Sequence, residues 1–435
     1  MGARETALNV LIACRKEGGW SNSVLKAYTA RDHLDSRDSA LAARLSYGVL
    51  QNRNYLDFYL KQLLTGRIKD LHPVVHDILH LGLYQMYQMD KIPESAAVNE
   101  SVELAKKYCR KQRNAPGLVN AVLRNAVRTK GSLQEPTSWE DRYSHPGDLI
   151  NLLKSYVGKE RIEPMLKANN AIAPIFAQVN TLRTTADALL ERLAGEGVTA
   201  ELHPWLPNCL ILSGTGSMEQ LPSFREGLYY IQDPAAKLSV LSAEIQPGQR
   251  VLDCCAAPGG KSFAAAMAGA GEITSCDIHH HKIDLIAKGA ARLGLSQIHG
   301  MEQDATVFNP EWEERMDTVI TDVPCSGFGI IRKKPDIRYK SIAEAAELPA
   351  LQQEIINNAA RYVKPGGLLL YSTCTLVQAE NEGVVEEFLR THPEFTTEPL
   401  PLPAIFPKNE TGMLALVPGE YDTDGFFICR LRRSV

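Results

Sequence analysis

The sequence lacks several features that would assign it to other classes of protein. No apolar run approaches the roughly 20 residues that a membrane-spanning helix requires. The first residues contain no apolar segment of the kind found in signal peptides, so we expect a cytosolic, cytoplasmic protein with no membrane partner. The nine cysteines are odd in number, which argues against a disulfide framework.

Two binding signatures are also missing. There is no Cys-x-x-Cys pair, and the three histidines at 279–281 have no partner ligands nearby in the sequence, so we predict no metal site. The histidine run is more typical of an exposed helix start. The glycines do not form the G-x-G-x-x-G pattern of dinucleotide-binding dehydrogenases, so that class is not indicated.

The composition is that of an ordinary globular protein, and its charge is unevenly distributed. The 435 residues are 44% hydrophobic and 23% charged, enough for two or three domains. Residues 1–130 carry 20 lysines and arginines against 12 acidic residues, whereas the remainder carries 27 against 39. The basic N-terminal part is compatible with a phosphate-backbone partner, and equally with a charged helical surface.

The periodicity predicts three domains. Apolar residues recur at helical spacing through residues 1–130, which predicts an all-α domain with helix breaks at Ser39 and Pro93. Residues 131–144 are polar and predict a linker. Residues 145–237 alternate helical and strand patterns and predict a small α+β domain, with helix over 149–168.

From residue 238 to residue 435, strand and helix patterns alternate. Strands are predicted near 250–254, 273–277, 299–303, 317–322 and 367–373, and a final strand over 424–431. Alternation of this kind predicts an α/β domain with a doubly wound, mostly parallel sheet.

The stretch Val251–Ser262, VLDCCAAPGGKS, is the centre of this domain. An apolar strand ends in Asp253, a glycine turn follows, and a helix begins, so backbone N–H groups can come close to a ligand. Asp277 ends the next strand, 24 residues after Asp253. An acid at about this spacing holds a ribose hydroxyl in nucleotide-binding folds.

Further chemically reactive side chains follow later strands. Asp322 and Cys325 lie in TVITDVPCSGFG, and Cys374 lies in LLLYSTCTL. In an open α/β sheet, ligands bind outside the carboxyl ends of the strands, where Asp253, Asp277 and Asp304 also fall. The sequence therefore predicts one site at this edge of the sheet.

Three motifs resemble those of S-adenosylmethionine-dependent RNA cytosine-C5 methyltransferases: DxCAAPGGK, DxPCSG, and a TC after a buried strand. The segments YGVLQNRNYLD and PGLVNAVLRNAV resemble a NusB-like RNA-binding bundle. Together they make the chain similar to the bacterial RsmB-type (Sun/Fmu) 16S rRNA methyltransferases. The resemblance implies a Rossmann-like catalytic domain over 238–435, an RNA-holding α+β extension over 145–237 and a NusB-like domain over 1–130.

The resemblance also implies a reaction and catalytic residues. A methyl group passes from S-adenosyl-L-methionine to C5 of a cytosine through a covalent cysteine–C6 adduct. Cys374 is the expected nucleophile, Cys325 the residue that assists product release, and Asp322 the partner of the cytosine N3 edge. Cys325 is the competitor for nucleophile, since DNA cytosine methyltransferases use the cysteine of the Pro-Cys motif.

The cofactor site implied by the resemblance is a loop followed by acidic residues. The loop would wrap the methionine end and the ribose, Asp277 would take the ribose hydroxyls, Asp304 the adenine amine, and Asp322 would border the cofactor. Lys261 would approach either the cofactor carboxylate or the base. The loop residues are Cys255, Ala256, Ala257, Pro258, Gly259, Gly260 and Lys261.

The expected partner is 16S ribosomal RNA of the small subunit, bound by a monomer. Basic segments at 106–113 and 332–339 are candidates for RNA contacts, or for ordinary surface, and Gln178 replaces an arginine usual in the family. Two other functions stay open: the same chemistry on tRNA or 23S rRNA, and a non-catalytic RNA-binding assembly factor.

Overall fold

A computed structural model describes residues 2–17 and 21–435. The chain forms two compact units, Met1–Asn151 with Lys333–Lys340, and Leu152–Arg332 with Ser341–Val435. The domain boundaries predicted near residues 130, 145 and 238 remain predictions. Among the described residues, no helix combines the length and the apolar character that crossing a bilayer needs.

The first unit is helical, as the sequence predicts. Apolar residues from six of its helices form one core that includes Leu8, Leu45, Leu56, Ile78 and Leu123. Its helices are α1 Ala3–Glu17, α2 Ser21–Arg31, α3 Ser36–Gln51, α4 Arg53–Leu63, α5 Pro73–Gln88, α6 Glu94–Tyr108, α7 Ala115–Thr129 and α8 Trp139–Arg142.

One of the two predicted helix breaks in this unit is wrong. Ser39 lies inside α3, which begins after Asp35, whose carboxylate caps the helix by accepting from the Asp38 N–H. Pro93 does precede α6 directly. The predicted helix over 149–168 is two helices, α9 Gly147–Val157 and α10 Lys159–Asn170, because Gly158 has a φ of +87° and ends the first.

A small antiparallel sheet comes first in the second unit. Its strand order is β2-β3-β1-β4, and its core places Leu189 and Leu193 of one helix against Ala177, Val179 and Leu210 of the sheet. The elements are β1 Ile175–Val179, α11 Ala186–Gly195, β2 Thr199–Leu202, β3 Cys209–Ser213, α12 Pro222–Arg225 and β4 Tyr229–Ile231.

The larger sheet of this unit is the predicted mostly parallel one. Its order is β10-β12-β9-β8-β5-β6-β7, with β11 on β12; the pairs among β5 to β9 are parallel, and β12 joins antiparallel. The strands are β5 Arg250–Asp253, β6 Glu272–Asp277, β7 Ile298–Glu302, β8 Met316–Asp322, β9 Val363–Thr373, β10 Phe395–Thr397, β11 Met413–Leu416 and β12 Phe426–Arg433.

Helices cover both faces of the large sheet, which is why its strands are apolar on both sides. In β9, Leu368 and Leu370 belong to one core, whereas Leu369 and Tyr371 belong to the core on the opposite face. The helices are α13 Pro234–Leu241, α14 Gly260–Met267, α15 His280–Leu293, α16 Ile342–Ala345, α17 Leu348–Ala360 and α18 Glu382–Thr391.

The strand order reverses at β5. Strands β6 and β7 lie on one side of β5 in the sheet, whereas the later strands β8 and β9 lie on its other side. Ligands bind at such a switch point, outside the carboxyl ends of the strands. The two strands that meet there end in Asp253 and Asp322.

The segment 333–340 packs within the first unit, although the sequence surrounding it belongs to the second. The Arg338 guanidinium is buried and donates to the backbone carbonyls of Gln51, at 2.7 Å, and Ser144, at 2.9 Å. Burial lowers its pKa to about 10. The prediction that 332–339 clamps RNA is therefore wrong at Arg338, which binds protein carbonyls.

We expect Arg338→Ala to destabilise the protein. It would leave the buried Ser144 carbonyl and the half-buried Gln51 carbonyl without this donor, and an unsatisfied buried group costs about 1–3 kcal/mol. Thermal unfolding of the full chain should begin several degrees lower than in the unmodified protein. Lys334→Ala, at an exposed position of the same segment, is the matched control and should leave the midpoint unchanged. Equal midpoints for both variants would contradict the role given to Arg338.

Candidate active site

Two cysteine thiols meet at the carboxyl ends of β8 and β9. These strands pair in parallel with Asp322 opposite Ser372, so the residues that follow them leave the sheet side by side. Cys325 and Cys374 lie just beyond this pair, and their Sγ atoms are 3.0 Å apart. The backbone N–H of Cys374 also donates to Cys325 Sγ, at 3.3 Å.

Hydrogen bonds connect the loop after β8, which carries Cys325, to the loop after β9, which carries Cys374. The hydroxyls of Ser326 and Thr375 are 2.6 Å apart, and the Gly329 N–H donates to the Cys374 carbonyl at 3.0 Å. The amide of Asn381 donates to the Thr375 carbonyl at 3.1 Å. The position of each sulfur therefore depends on the other loop.

A buried carboxylate fixes the loop that carries Cys325. Glu380 Oε2 accepts from the Ser326 N–H and from the Gln352 amide, both at 2.9 Å, and Glu380 has no exposed surface. The same Gln352 amide donates to the Pro324 carbonyl at 2.9 Å. Residues on both sides of Cys325 are thus held by one acidic group and its amide partner.

The surroundings of the pair favour a proton on Cys325. Its hydrogen bond with Cys374 raises the pKa of the Cys325 thiol well above the usual range, and burial and the carboxylates of Glu380 and Asp322 act in the same direction. The raised pKa of Cys325 disfavours its thiolate form. A thiolate is the nucleophilic form of cysteine.

Asp322 is held from both sides by polar groups. The Ser372 hydroxyl donates to Asp322 Oδ1 at 2.9 Å, and Lys261 Nζ lies 2.5 Å from Oδ2. The Lys261 side chain is 8% exposed and that of Asp322 is 30% exposed, so water reaches this ion pair mainly from the carboxylate side. The structure brings Lys261 to Asp322, a pairing that the sequence analysis did not foresee.

The glycine loop links β5 to α14. The Ala256 N–H donates to the Cys276 carbonyl, and the Gly259 N–H turns back to the Ala256 carbonyl, both at 2.7 Å. Gly259 has a φ of +107°, and a Cβ there would lie 2.5 Å from the Phe263 ring. A side chain at this position would push the loop away from the helix.

Asp253, at the start of the loop, is fully buried. Its Oδ2 accepts from the Ser262 hydroxyl at 2.8 Å, and Ser275 donates to Ser262 at 2.7 Å. Burial raises the pKa of Asp253 to about 7, although the Ser262 hydrogen bond acts in the opposite direction. The carboxyl group at the start of the loop is therefore protonated, and so neutral, up to a higher pH than an ordinary aspartate.

A cavity of about 170 Å³ opens beside this loop. Asp277 accepts from the His279 N–H at 3.1 Å and pairs with Lys282, and Asp304 accepts from the Thr306 N–H at 2.9 Å. Carboxylates next to apolar walls fit the hydroxyls and the flat ring of a nucleoside. The lining comprises Cys254, Cys255, Asp277, Ile278, Lys282, Gln303, Asp304, Ala305, Thr306, Pro324, Leu351 and Ile355.

Other segments singled out in the sequence lie elsewhere. Gln178 is buried, and its amide donates to the Gln232 carbonyl and to Cys209 Sγ, so it is part of the protein interior. In the basic segment 106–113, Lys106 pairs with Glu103 at 2.6 Å, which makes it part of an exposed ion pair. The histidines at 279–281 are exposed at the start of α15, as predicted.

The strand order and the position of the site define a Rossmann-like methyltransferase fold of the S-adenosylmethionine-dependent class. Three family models match successive parts of the chain. The model described as 16S rRNA methyltransferase RsmB/F matches residues 240–432, the NusB family matches 1–128, and the RsmF/B-like ferredoxin-like domain matches 145–219.

Relatives of similar length extend this match to the full chain. It is 35% identical to the probable ribosomal RNA small subunit methyltransferase B of Bacillus subtilis (strain 168), over 99% of this chain and 98% of the relative. It is 32% identical to ribosomal RNA small subunit methyltransferase B of Vibrio vulnificus (strain YJ016), over 98% of each. The chain belongs to the RsmB/F family of 16S rRNA methyltransferases.

Solved structures show the same architecture. The crystal structure of PH0851 is 25% identical and superimposes with a TM-score of 0.82, over 100% of this chain and 99% of that one. A methyltransferase homolog from Pyrococcus horikoshii, also 25% identical, matches 68% of this chain and 97% of its own with a TM-score of 0.58.

We expect Glu380→Ala to slow methyl transfer to rRNA about 10- to 100-fold, because displacement of a reacting group by about 1 Å costs rates of this order. Glu380→Gln should keep most of the activity, since its amide oxygen accepts the same two hydrogen bonds. Rates at saturating RNA, with KM measured alongside, separate positioning from binding. Gln378→Ala, at an exposed position in the same turn, is the control. A Glu380→Ala enzyme of normal rate would contradict the role of Glu380 in holding the Cys325 loop.

Because the pKa of Asp253 is raised in the folded protein, we expect the stability of the fold to depend on pH. Its folded pKa of about 7 lies above the usual 3.8, so the native state binds the proton more tightly and its stability falls as pH rises between these values. Asp253→Asn stays neutral throughout. The melting temperature of the unmodified protein should therefore fall by a few degrees relative to the variant between pH 5 and pH 7, and then level off. Parallel melting curves across this range would contradict the assignment.

Proposed function

We propose that the protein transfers a methyl group from S-adenosyl-L-methionine to C5 of one cytosine in 16S rRNA, through a covalent bond between Cys374 and C6. The observation that carries the proposal is the contact of two thiols, 3.0 Å apart, beside Asp322 at the switch point of the sheet. Family membership supports rRNA methylation, and the thiols support this chemistry.

The residues lining the cavity beside the glycine loop suit the nucleoside part of the cofactor. When bound, S-adenosylmethionine supplies an electrophilic methyl group. Asp277 would hold the ribose hydroxyls and Asp304 the adenine amine, while the apolar walls enclose the ring. The loop from Cys255 to Lys261 would supply backbone N–H groups at the start of α14.

Cys374 would start the reaction. Cytosine C5 is a poor nucleophile, but addition of a thiolate at C6 gives the ring enamine character and makes C5 reactive. Cys374 is partly exposed and lies just beyond the carboxyl end of β9. The alternative nucleophile, Cys325, is disfavoured by its raised pKa.

Asp322 would orient the base and stabilise the adduct. As the C6–S bond forms, N3 takes up a proton from solvent and the N3–H can donate to the carboxylate; that proton returns to solvent when the C6–S bond breaks. Ser372 and Lys261 hold that carboxylate in place. Preorganised groups of this kind stabilise charge that develops during a reaction.

Cys325 would act in product release. After methylation, C5 carries both a hydrogen and the new methyl group. Loss of the C5 proton and breakage of the C6–S bond restore the aromatic ring. At 3.0 Å, the Cys325 thiol is placed to give its proton to the departing Cys374 sulfur, and the Cys325 thiolate then formed can accept the proton from C5.

The test is to trap the adduct. Cys325→Ala should bind S-adenosylmethionine and methylate the base but release it slowly, so an RNA–protein complex should survive denaturing electrophoresis with cellular RNA that lacks the modification. The complex should disappear in Cys325→Ala/Cys374→Ala. It should persist in Cys325→Ala/Cys14→Ala, which removes a cysteine of the other unit.

Each outcome of the trap has a definite meaning. An adduct from Cys374→Ala alone would reverse the two cysteine roles, and no adduct from either variant would refute covalent catalysis. Sequencing of the trapped RNA identifies the substrate. Recovery of tRNA or 23S rRNA in place of 16S rRNA would overturn the proposed target while leaving the chemistry intact.

A further inference from the structure

Three metal-binding side chains converge in the first unit, whereas the residues of the proposed reaction belong to the second. His76 and His80 lie one turn apart on the same face of α5, and Asp57 faces them from α4. Asp57 Oδ1 lies 2.6 Å from His76 Nε2 and 2.8 Å from His80 Nε2. We propose that Asp57, His76 and His80 bind a divalent transition metal, Zn²⁺ first among them.

The donor set suits zinc. Two imidazole nitrogens and one carboxylate oxygen are ligands that Zn²⁺ accepts, and three protein ligands with water in the fourth position form an open zinc site. The three donor atoms lie within 4.8 Å of one another. Calcium and magnesium prefer sites made of oxygen atoms, so the two histidines select against them.

One cation lies near the three donors. Arg53 acts electrostatically against positive charge at His80, so it also opposes a bound metal ion. The carboxylate of Asp57 supplies the negative charge that offsets this repulsion.

The site is accessible from solvent. The side chains of His76 and Asp57 are 16% and 22% exposed, so a metal and its remaining water can enter from that side, while His80 is buried. Tetrahedral ligands at 2.0–2.1 Å from zinc stand about 3.3 Å apart, so metal binding would move the imidazole nitrogens back from Asp57 by roughly half an ångström or more and adjust the spacing of the three donors, which now lie within 4.8 Å of one another.

The competing interpretation is a purely structural hydrogen-bonded triad. Both Nε2 atoms then donate to one carboxylate oxygen, and no metal is needed. The two interpretations differ in a measurable way, because a metal that binds the folded state stabilises it in proportion to its concentration. If a metal binds at this site, the absorption spectrum of bound Co²⁺ should indicate nitrogen and oxygen ligands; a purely structural triad gives no such spectrum.

The experiment is a titration of the chelator-treated, full-length protein with Zn²⁺ and, separately, with Co²⁺. We expect one equivalent to bind at this site, to raise the melting temperature, and to give visible Co²⁺ absorption without the near-ultraviolet band of thiolate ligation. His76→Gln and Asp57→Asn should each weaken this binding at least tenfold. His76 is the less buried histidine, and the melting curve without added metal reports whether each variant folds.

Other potential ligands need to be separated from this site. The exposed histidines at 279–281 and the Cys325–Cys374 pair can also take up metal, so the titrations use a background in which residues 279–281 are asparagine, and a thiolate band identifies the cysteines. His299→Ala, at an exposed position, is the matched control and should bind normally. Equal metal binding by His76→Gln and its background, or no binding by the background, overturns the proposal.

Discussion

The parallel pairing of β8 with β9 is the constraint on which the candidate site depends. Because Asp322 stands opposite Ser372, the two loops that follow leave the sheet side by side, and hydrogen bonds between them then hold Cys325 against Cys374. The apolar side chains of β9 alternate between two cores, so a slip of one residue would turn the buried face of the strand toward the wrong core. The packing of the sheet thereby brings the two cysteine-bearing loops next to each other.

The sequence carried much of the fold and part of the site. The helical first unit, the doubly wound sheet and its strand ends were visible as periodicity, since a helix and a strand repeat at different intervals. Asp322, Cys325 and Cys374 could be placed at one edge because carboxyl ends of parallel strands share that edge. Their catalytic roles came from resemblance, and they remain proposals.

What the sequence did not reveal depends on contacts between distant segments. Glu380 occurs in a turn with no periodic pattern, and only the folded chain shows that it holds the Cys325 loop. Arg338 lies in a basic stretch that suggests an exposed surface, yet it is buried against backbone carbonyls. His76 and His80 are four residues apart, a spacing that places both on one helix face, but their third partner, Asp57, belongs to another helix.

The course of the chain through residues 333–340 affects how the protein can be divided. These residues lie within the methyltransferase part of the sequence but belong to the helical unit, to which they contribute a buried arginine. The order of segments along the chain therefore differs from their grouping in the fold. A catalytic fragment produced by removing the N-terminal residues would keep this segment but lose the carbonyls that receive it. Its guanidinium and apolar side chains would then face water. The protein is therefore poorly described as a catalytic module with a detachable NusB-like appendage.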